Sequence, residues 1–229
     1  MITPDSSKFK IIKVLSDDSL EKLRHQLLNT KVINGLNSLR DPRGKEVLYS
    51  FKRNKEAGLP AKEFINLTNK KDISDFTCYS SFKGNPIYSL MSDGDYYRPH
   101  FDNVSLGHFS HTLFINPPDT YEGGELELLV DGELKEFKLD PGYAVVYETG
   151  TPHQVKPVTK GERKVVVWWT ASYIPVMEDL YKWRAYNKLT DNDYPKDKDD
   201  IILSLKEFAS AEGLYHKNAA ASILRNYLK

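Results

Sequence analysis

The chain has 229 residues, with 32 Lys+Arg against 32 Asp+Glu and a single cysteine. That length suits one domain with a sizeable core, and the zero net charge gives the whole molecule no pull toward nucleic acid or an acidic membrane. The lone Cys78 excludes an internal disulfide framework. It fits a reducing compartment, and with an N-terminus (MITPDSSKFKII) lacking a signal-peptide core and no run near the roughly 18 apolar residues of a membrane span, a cytoplasmic protein is expected.

Ser16 followed by Asp17 and Asp18 reads as an N-cap with acids in the first turn, and Leu20, Leu23 and Leu27 recur at helical spacing, so a helix over 17–28 is expected. A second helical pattern opens near Pro60, a first-turn residue, and carries Phe64 and Leu67 on one side. Between them, Arg40 to Glu56 is polar and basic and reads as a solvated loop. From Phe76 onward the chain turns to short runs rich in Tyr, Phe, Val, Thr and Trp, punctuated by Gly, Pro, Asn and Asp. Strands are expected over 87–91, 96–102, 109–116, 125–130, 134–139, 143–148 and 163–173, with Asp131-Gly132 as a tight hairpin turn. Strands this dense imply a sandwich or barrel. Helical spacing returns after Pro175, a charged connector follows over 190–200, and two further helices are expected, one ending near Gly213 and one over 218–228. The reading is a mainly β (α+β) domain over 1–175, with helical support to about 75 and a barrel core from about 76, then a helical extension over 176–229.

His100 and Asp102 stand two apart in an expected strand, so they share a face. His153 follows the turn-like Glu148 to Pro152 and is a candidate third ligand. Two imidazoles and a carboxylate leave positions open on a non-haem Fe(II), which points to catalysis. Arg163, Val165, Val167 and Trp169 alternate along one strand face, and a guanidinium at depth in a barrel requires an anion. A dicarboxylate that chelates iron at one end and pairs bidentately with Arg163 at the other meets that need, and 2-oxoglutarate fits both ends. His108 and His111 read as loop or rim residues, and His25 and His216 as solvated. Gly123-Gly124 lacks the following Lys of a phosphate loop and reads as a sharp turn.

These residues fall in segments that resemble the prolyl 4-hydroxylase-like Fe(II)- and 2-oxoglutarate-dependent dioxygenases, especially the PKHD-type hydroxylases. The segments are Gly94 to Asn103 (G-x-x-Y-x-x-H-x-D), Thr112 to Asn116, Tyr121 to Leu126 (Y-x-G-G-E-L), and Pro152 to Arg163 with its P-H-x-V-x-P-V spacing. The resemblance implies a double-stranded β-helix (jelly roll), with His100, Asp102 and His153 as metal ligands and catalytic centre. It further implies Fe(II), 2-oxoglutarate and O2 as cofactors, ascorbate as a candidate reductant, and Trp169 beside the co-substrate. Asp102 favours hydroxylation over halogenation, since halogenating relatives replace this carboxylate with a small residue. Where many relatives carry a tyrosine this chain has Met91, so Tyr97 or Thr112 is expected to supply the missing donor to the co-substrate. The substrate implied is a prolyl residue of a peptide or protein. The alternatives left open are a small molecule or free amino acid as substrate, a non-catalytic metal and 2-oxoglutarate sensor, and a cupin-like iron enzyme that needs no co-substrate. The basic stretch over 40–55 leaves a ribonucleoprotein target open, no membrane partner is expected, and the oligomeric state is not legible.

Overall fold

The computed structural model describes residues 7–38, 51–68 and 70–190. The expected helices over 201–213 and 218–228, and Arg40, Arg43, Lys45 and His216, lie outside the described residues. In chain order the elements are β1 (Phe9–Lys13), α1 (Asp17–Leu28), β2 (Ile33–Asn34), β3 (Lys52–Arg53), β4 (Lys55–Gly58), α2 (Ala61–Leu67), α3 (Lys70–Thr77), β5 (Tyr79–Met91) and β6 (Tyr96–His100). There follow β7 (Phe109–Phe114), β8 (Tyr121–Gly123), β9 (Leu126–Val130), β10 (Glu133–Phe137), β11 (Tyr143–Glu148), β12 (His153–Val155), β13 (Val158–Gly161), β14 (Arg163–Ser172) and α4 (Met177–Thr190).

Two antiparallel sheets form a jelly roll. The larger has the order β1-β11-β7-β14-β5-β4-β2, the smaller β10-β9-β12-β6-β3, and β13-β8 forms a short ribbon. The helical reading of the first 75 residues misses four short strands. β1 pairs with β11, β4 with β5 and β3 with β6, so the N-terminal segment extends both sheets. Strands of two to five residues are too short for their alternation to stand out from a loop.

Each face of the larger sheet has its own core. The inner face packs Phe114, Val145, Tyr147, Val165 and Met91 against Leu126, Leu128 and Val155 of the smaller sheet. The outer face packs Leu113, Val146, Val166 and Trp168 against Leu20, Leu23 and Leu27 of α1 and Phe64 of α2. Helix α1 starts as the sequence predicts, the Ser16 hydroxyl accepting from the Ser19 N–H at 3.2 Å, a cap worth about 1 kcal/mol. Asp131 and Gly132 both take positive φ, 51° and 83°, and make the β9–β10 hairpin turn. Among the described residues no helix is long and apolar enough to cross a membrane.

His111 is not a rim residue. It is buried on the outer face, stacked on Trp168 at 4.5 Å, with Nε2 2.8 Å from Thr170 Oγ1. Burial pushes its imidazole down to about 3. The unfolded chain therefore takes up a proton below about pH 6.5 that the folded chain refuses, and stability falls with pH by up to about 1.4 kcal/mol per unit. Melting curves from about pH 7 to 5 should show this loss in the wild type and less of it in His111→Phe. Equal slopes in the two proteins would refute His111 as the proton sink.

Candidate active site

β6 and β12 are neighbours in the smaller sheet, with His100 and His153 as direct cross-strand partners. Opposed residues project to the same face, and the two rings meet with centroids 4.1 Å apart. Each Nδ1 faces a backbone carbonyl, Arg98 O at 2.8 Å from His100 and Thr151 O at 2.9 Å from His153. A carbonyl can only accept, so Nδ1 carries the proton and Nε2 keeps its lone pair. Burial, and then the neighbouring His153, push His100 down to about 4, so near neutral pH the ring is uncharged.

Both Nε2 atoms stand 3.8 Å from Asp102 Oδ1, and the three donor atoms lie within 4.8 Å of one another. Strand β6 ends at His100, so Asp102 lies just past it, yet it keeps the shared face predicted for an i, i+2 pair. The other carboxylate oxygen is occupied. Asp102 Oδ2 accepts from Ser110 Oγ at 2.7 Å and from Trp169 Nε1 at 2.9 Å. Two donors on Oδ2 leave Oδ1 to face the imidazoles, which sets the carboxylate to bind a metal through one oxygen. Trp169, expected beside the co-substrate, is a hydrogen-bond donor to a candidate ligand. Tyr97 lies face to face with His100 at 3.7 Å, and Phe51 meets both rings edge-on. A donor set of two free imidazole lone pairs and one carboxylate oxygen could hold a divalent first-row metal with positions left open.

His100, Asp102 and His153 share a cavity of about 270 Å³ with Thr112, Tyr147 and Arg163. Arg163 is 1% exposed. Its Nη1 meets the Met91 sulfur at 3.9 Å, while Nε and Nη2 have no hydrogen-bond partner among the described residues. Burial pulls the guanidinium down to about 10, so it remains charged at neutral pH. A buried cation with idle donors is costly without an anion, and a carboxylate is the anion its fork fits. The Gly123-Gly124 turn helps seat it. Both glycines have φ near 70°, and a Cβ on Gly124 would lie 3.0 Å from Arg163 Cδ, so a side chain there would displace the arginine stem.

In the described part of the basic stretch the solvated reading fails at Lys52, while Arg53 and Lys55 are exposed. Lys52 is 3% exposed, and its Nζ donates to Glu56 Oε1 at 2.6 Å. Asn54 Nδ2 donates to the same oxygen and to Ser89 Oγ, both at 2.8 Å. These residues line the cavity, because β3 belongs to the smaller sheet and β4 to the larger, and the chain between them closes the gap. Arg53 faces outward and pairs with Asp95 at 3.0 Å. Tyr147 was also missed; it carried no motif among the 14 tyrosines of the chain. His108 lies before β7, its Nδ1 accepting from the Ser172 N–H.

Residues 87–171 match the family model described as the 2OG-Fe(II) oxygenase superfamily. A PKHD-type hydroxylase of Prochlorococcus marinus is 33% identical over 181 residues, covering 70% of this chain and 82% of the relative. One of Maricaulis maris is 47% identical over 93 residues, 38% of this chain and 42% of the relative. Among solved structures, a Pseudomonas putida prolyl-4-hydroxylase superposes with a TM-score of 0.52 at 18% identity, over 72% of this chain and 92% of its own. A Trichoplax adhaerens prolyl hydroxylase, solved in complex with a hypoxia inducible factor oxygen degradation domain peptide fragment, gives 0.51 at 17%, over 70% and 82%. At such identities the two structures speak for the fold, the double-stranded β-helix seen here. The chain belongs to the 2OG-Fe(II) oxygenase superfamily, with the PKHD-type hydroxylases as its relatives, and is a dioxygenase that uses Fe(II), 2-oxoglutarate and O2.

Proposed function

We propose that His100, Asp102 and His153 hold the Fe(II), that Arg163 anchors the distal carboxylate of 2-oxoglutarate, and that the hydroxylated carbon belongs to a prolyl residue of a peptide or protein. One observation carries this reading: the buried guanidinium with two unpartnered nitrogens shares its cavity with the three ligand atoms. When bound, Fe(II) and 2-oxoglutarate supply the oxidant for C–H hydroxylation, the co-substrate leaving as succinate and CO2. The chain's own residues arrange the setting. His100 and His153 present Nε2, while Ser110 and Trp169 hold Asp102 so that one oxygen faces the metal. Val165, Val167, Leu126 and Met91 line the cavity and keep water from the arginine, which strengthens its pairing with a carboxylate.

The mouth supports a polypeptide substrate. Phe101 and Val104 are 67% and 72% exposed beside Asp102, and Leu106 runs from this rim into the cavity. An exposed apolar rim suits a chain laid across it better than a small polar metabolite enclosed on all sides. The Trichoplax neighbour, solved with a peptide fragment, supports the same class. A buried, unpaired Cys78 supports a reducing compartment.

The test is a library of proline-containing peptides incubated with Fe(II), 2-oxoglutarate and the enzyme. Succinate release and one added oxygen atom per peptide, located at proline by fragmentation, are the expected result. Oxygen added only to small molecules or free amino acids from a metabolite mixture would overturn the prolyl assignment.

A further inference from the structure

We propose that Glu56 Oε2 accepts a hydrogen bond from a backbone N–H of the peptide substrate, at a residue flanking the one to be hydroxylated. The inference rests on the reading of a peptide as substrate.

Glu56 lies on β4 opposite Ser89 of β5, which is in turn opposite Val165 of β14, and all three line the cavity. Glu56 is 8% exposed, and the Lys52 ammonium at 2.6 Å and Asn54 Nδ2 at 2.8 Å both meet its Oε1. Oε2 has no hydrogen-bond partner among the described residues. Asp102 is held in the same manner, with two donors on one oxygen while the other faces the imidazoles.

The surroundings fix this carboxylate in place. Asn54 Nδ2 also donates to Ser89 Oγ at 2.8 Å, which ties the chain between β3 and β4 to β5. Gly35, not among the residues lining the cavity, backs the cluster. A Cβ there would lie 2.0 Å from Asn54 Oδ1 and 3.1 Å from Glu56 Cδ, so any side chain would displace both. Lys52 Nζ stands 5.1 Å from the centre of the Tyr97 ring, and that ring stacks on His100 at 3.7 Å. One aromatic ring thus separates the Lys52–Glu56 pair from a candidate metal ligand.

The chemistry of the oxygen selects its partner. A buried acceptor without a donor is costly, so a ligand that brings one is favoured. 2-Oxoglutarate brings only acceptors and negative charge, and a carboxylate oxygen has nothing to offer it. The donor must therefore come from the substrate. An ammonium is poorly matched, because Lys52 already neutralises Glu56 and a second cation would be buried beside it without an anion of its own. A neutral N–H suits the site. A peptide backbone supplies one at every residue except proline, which assigns the bond to a neighbour of the target.

A library of capped pentapeptides with proline at the centre tests this, each flanking amino acid being replaced in turn by its α-hydroxy acid so that one N–H becomes an ester oxygen. In the wild type, one ester position should raise the KM of the peptide about tenfold or more, the range for a hydrogen bond to a charged group. Glu56→Gln, which can present an NH2 where Oε2 stood, should raise the KM of the all-amide peptide by a similar factor and show no further loss at that ester position. It should leave 2-oxoglutarate binding unchanged, followed by the visible metal-to-ligand charge-transfer band of the anaerobic Fe(II)-loaded protein. Tolerance of the ester at every position in the wild type would overturn the proposal, and this arm stands even if Glu56→Gln does not fold. An ester cost of equal size in both proteins would also overturn it, since another group then accepts the N–H, as would weakened 2-oxoglutarate binding in Glu56→Gln, which marks a general disturbance of the cavity. Oxygen added to small molecules and to none of the all-amide peptides would instead refute the peptide reading, and the proposal with it.

Discussion

Arg163→Ala is expected to raise the concentration of 2-oxoglutarate needed for half-saturation by about 10- to 150-fold, corresponding to about 1.5–3 kcal/mol for a lost charge-assisted hydrogen bond. The guanidinium is buried and two of its nitrogens have no hydrogen-bond partner among the described residues, so its interaction with a ligand is neither screened by solvent nor shared with an acceptor there. Saturating co-substrate should restore most of kcat, because the residue is not one of the three candidate metal ligands. Arg163→Lys should recover only part of the affinity, since an ammonium lacks the planar fork that meets a carboxylate with two parallel bonds. Added 2-oxoglutarate should raise the melting temperature of the iron-loaded wild type and have little effect on Arg163→Ala at the same concentration. An unchanged requirement for 2-oxoglutarate in the variant would remove the basis for its assignment as the anchor.

His153→Ala is expected to abolish turnover and the anaerobic charge-transfer band together. Its effect should exceed the 10–100-fold typical of losing an outer hydrogen-bond partner of a metal ligand. The imidazole is buried, its Nδ1 is committed to Thr151 O, and its Nε2 is 3.8 Å from Asp102 Oδ1. No other histidine joins the cluster of potential ligands found among the described residues. A band of wild-type strength in the variant would show that the third ligand lies elsewhere.

The candidate site residues that the structure brings together were legible because their spacing is local. An i, i+2 pair on a strand, a histidine after a turn and an arginine ten residues further on keep their meaning before any tertiary contact is known. The central strands were legible for the same reason; β11 runs over the predicted 143–148. What sequence could not show are contacts created by long-range closure. Lys52, Asn54 and Glu56 read as a solvated run because charge normally marks the surface. They are buried because β3 and β4 join opposite sheets and turn these side chains inward. His111 read as a rim residue for want of any sign that Trp168 would stack on it. The bond from Trp169 to Asp102 links residues 67 apart in sequence, and no local pattern reports such a pairing.

His100 and His153 face one another across β6 and β12. On the proposed ligation, a single ion ties those two strands together. Any ligand that binds only the folded chain stabilises it by mass action, by about 2.7 kcal/mol at a hundred times its dissociation constant. That lowers the unfolded population about a hundredfold. Metal supply would therefore govern how long each polypeptide survives proteolysis as well as how fast it works, and starvation for iron would deplete the protein along with its activity.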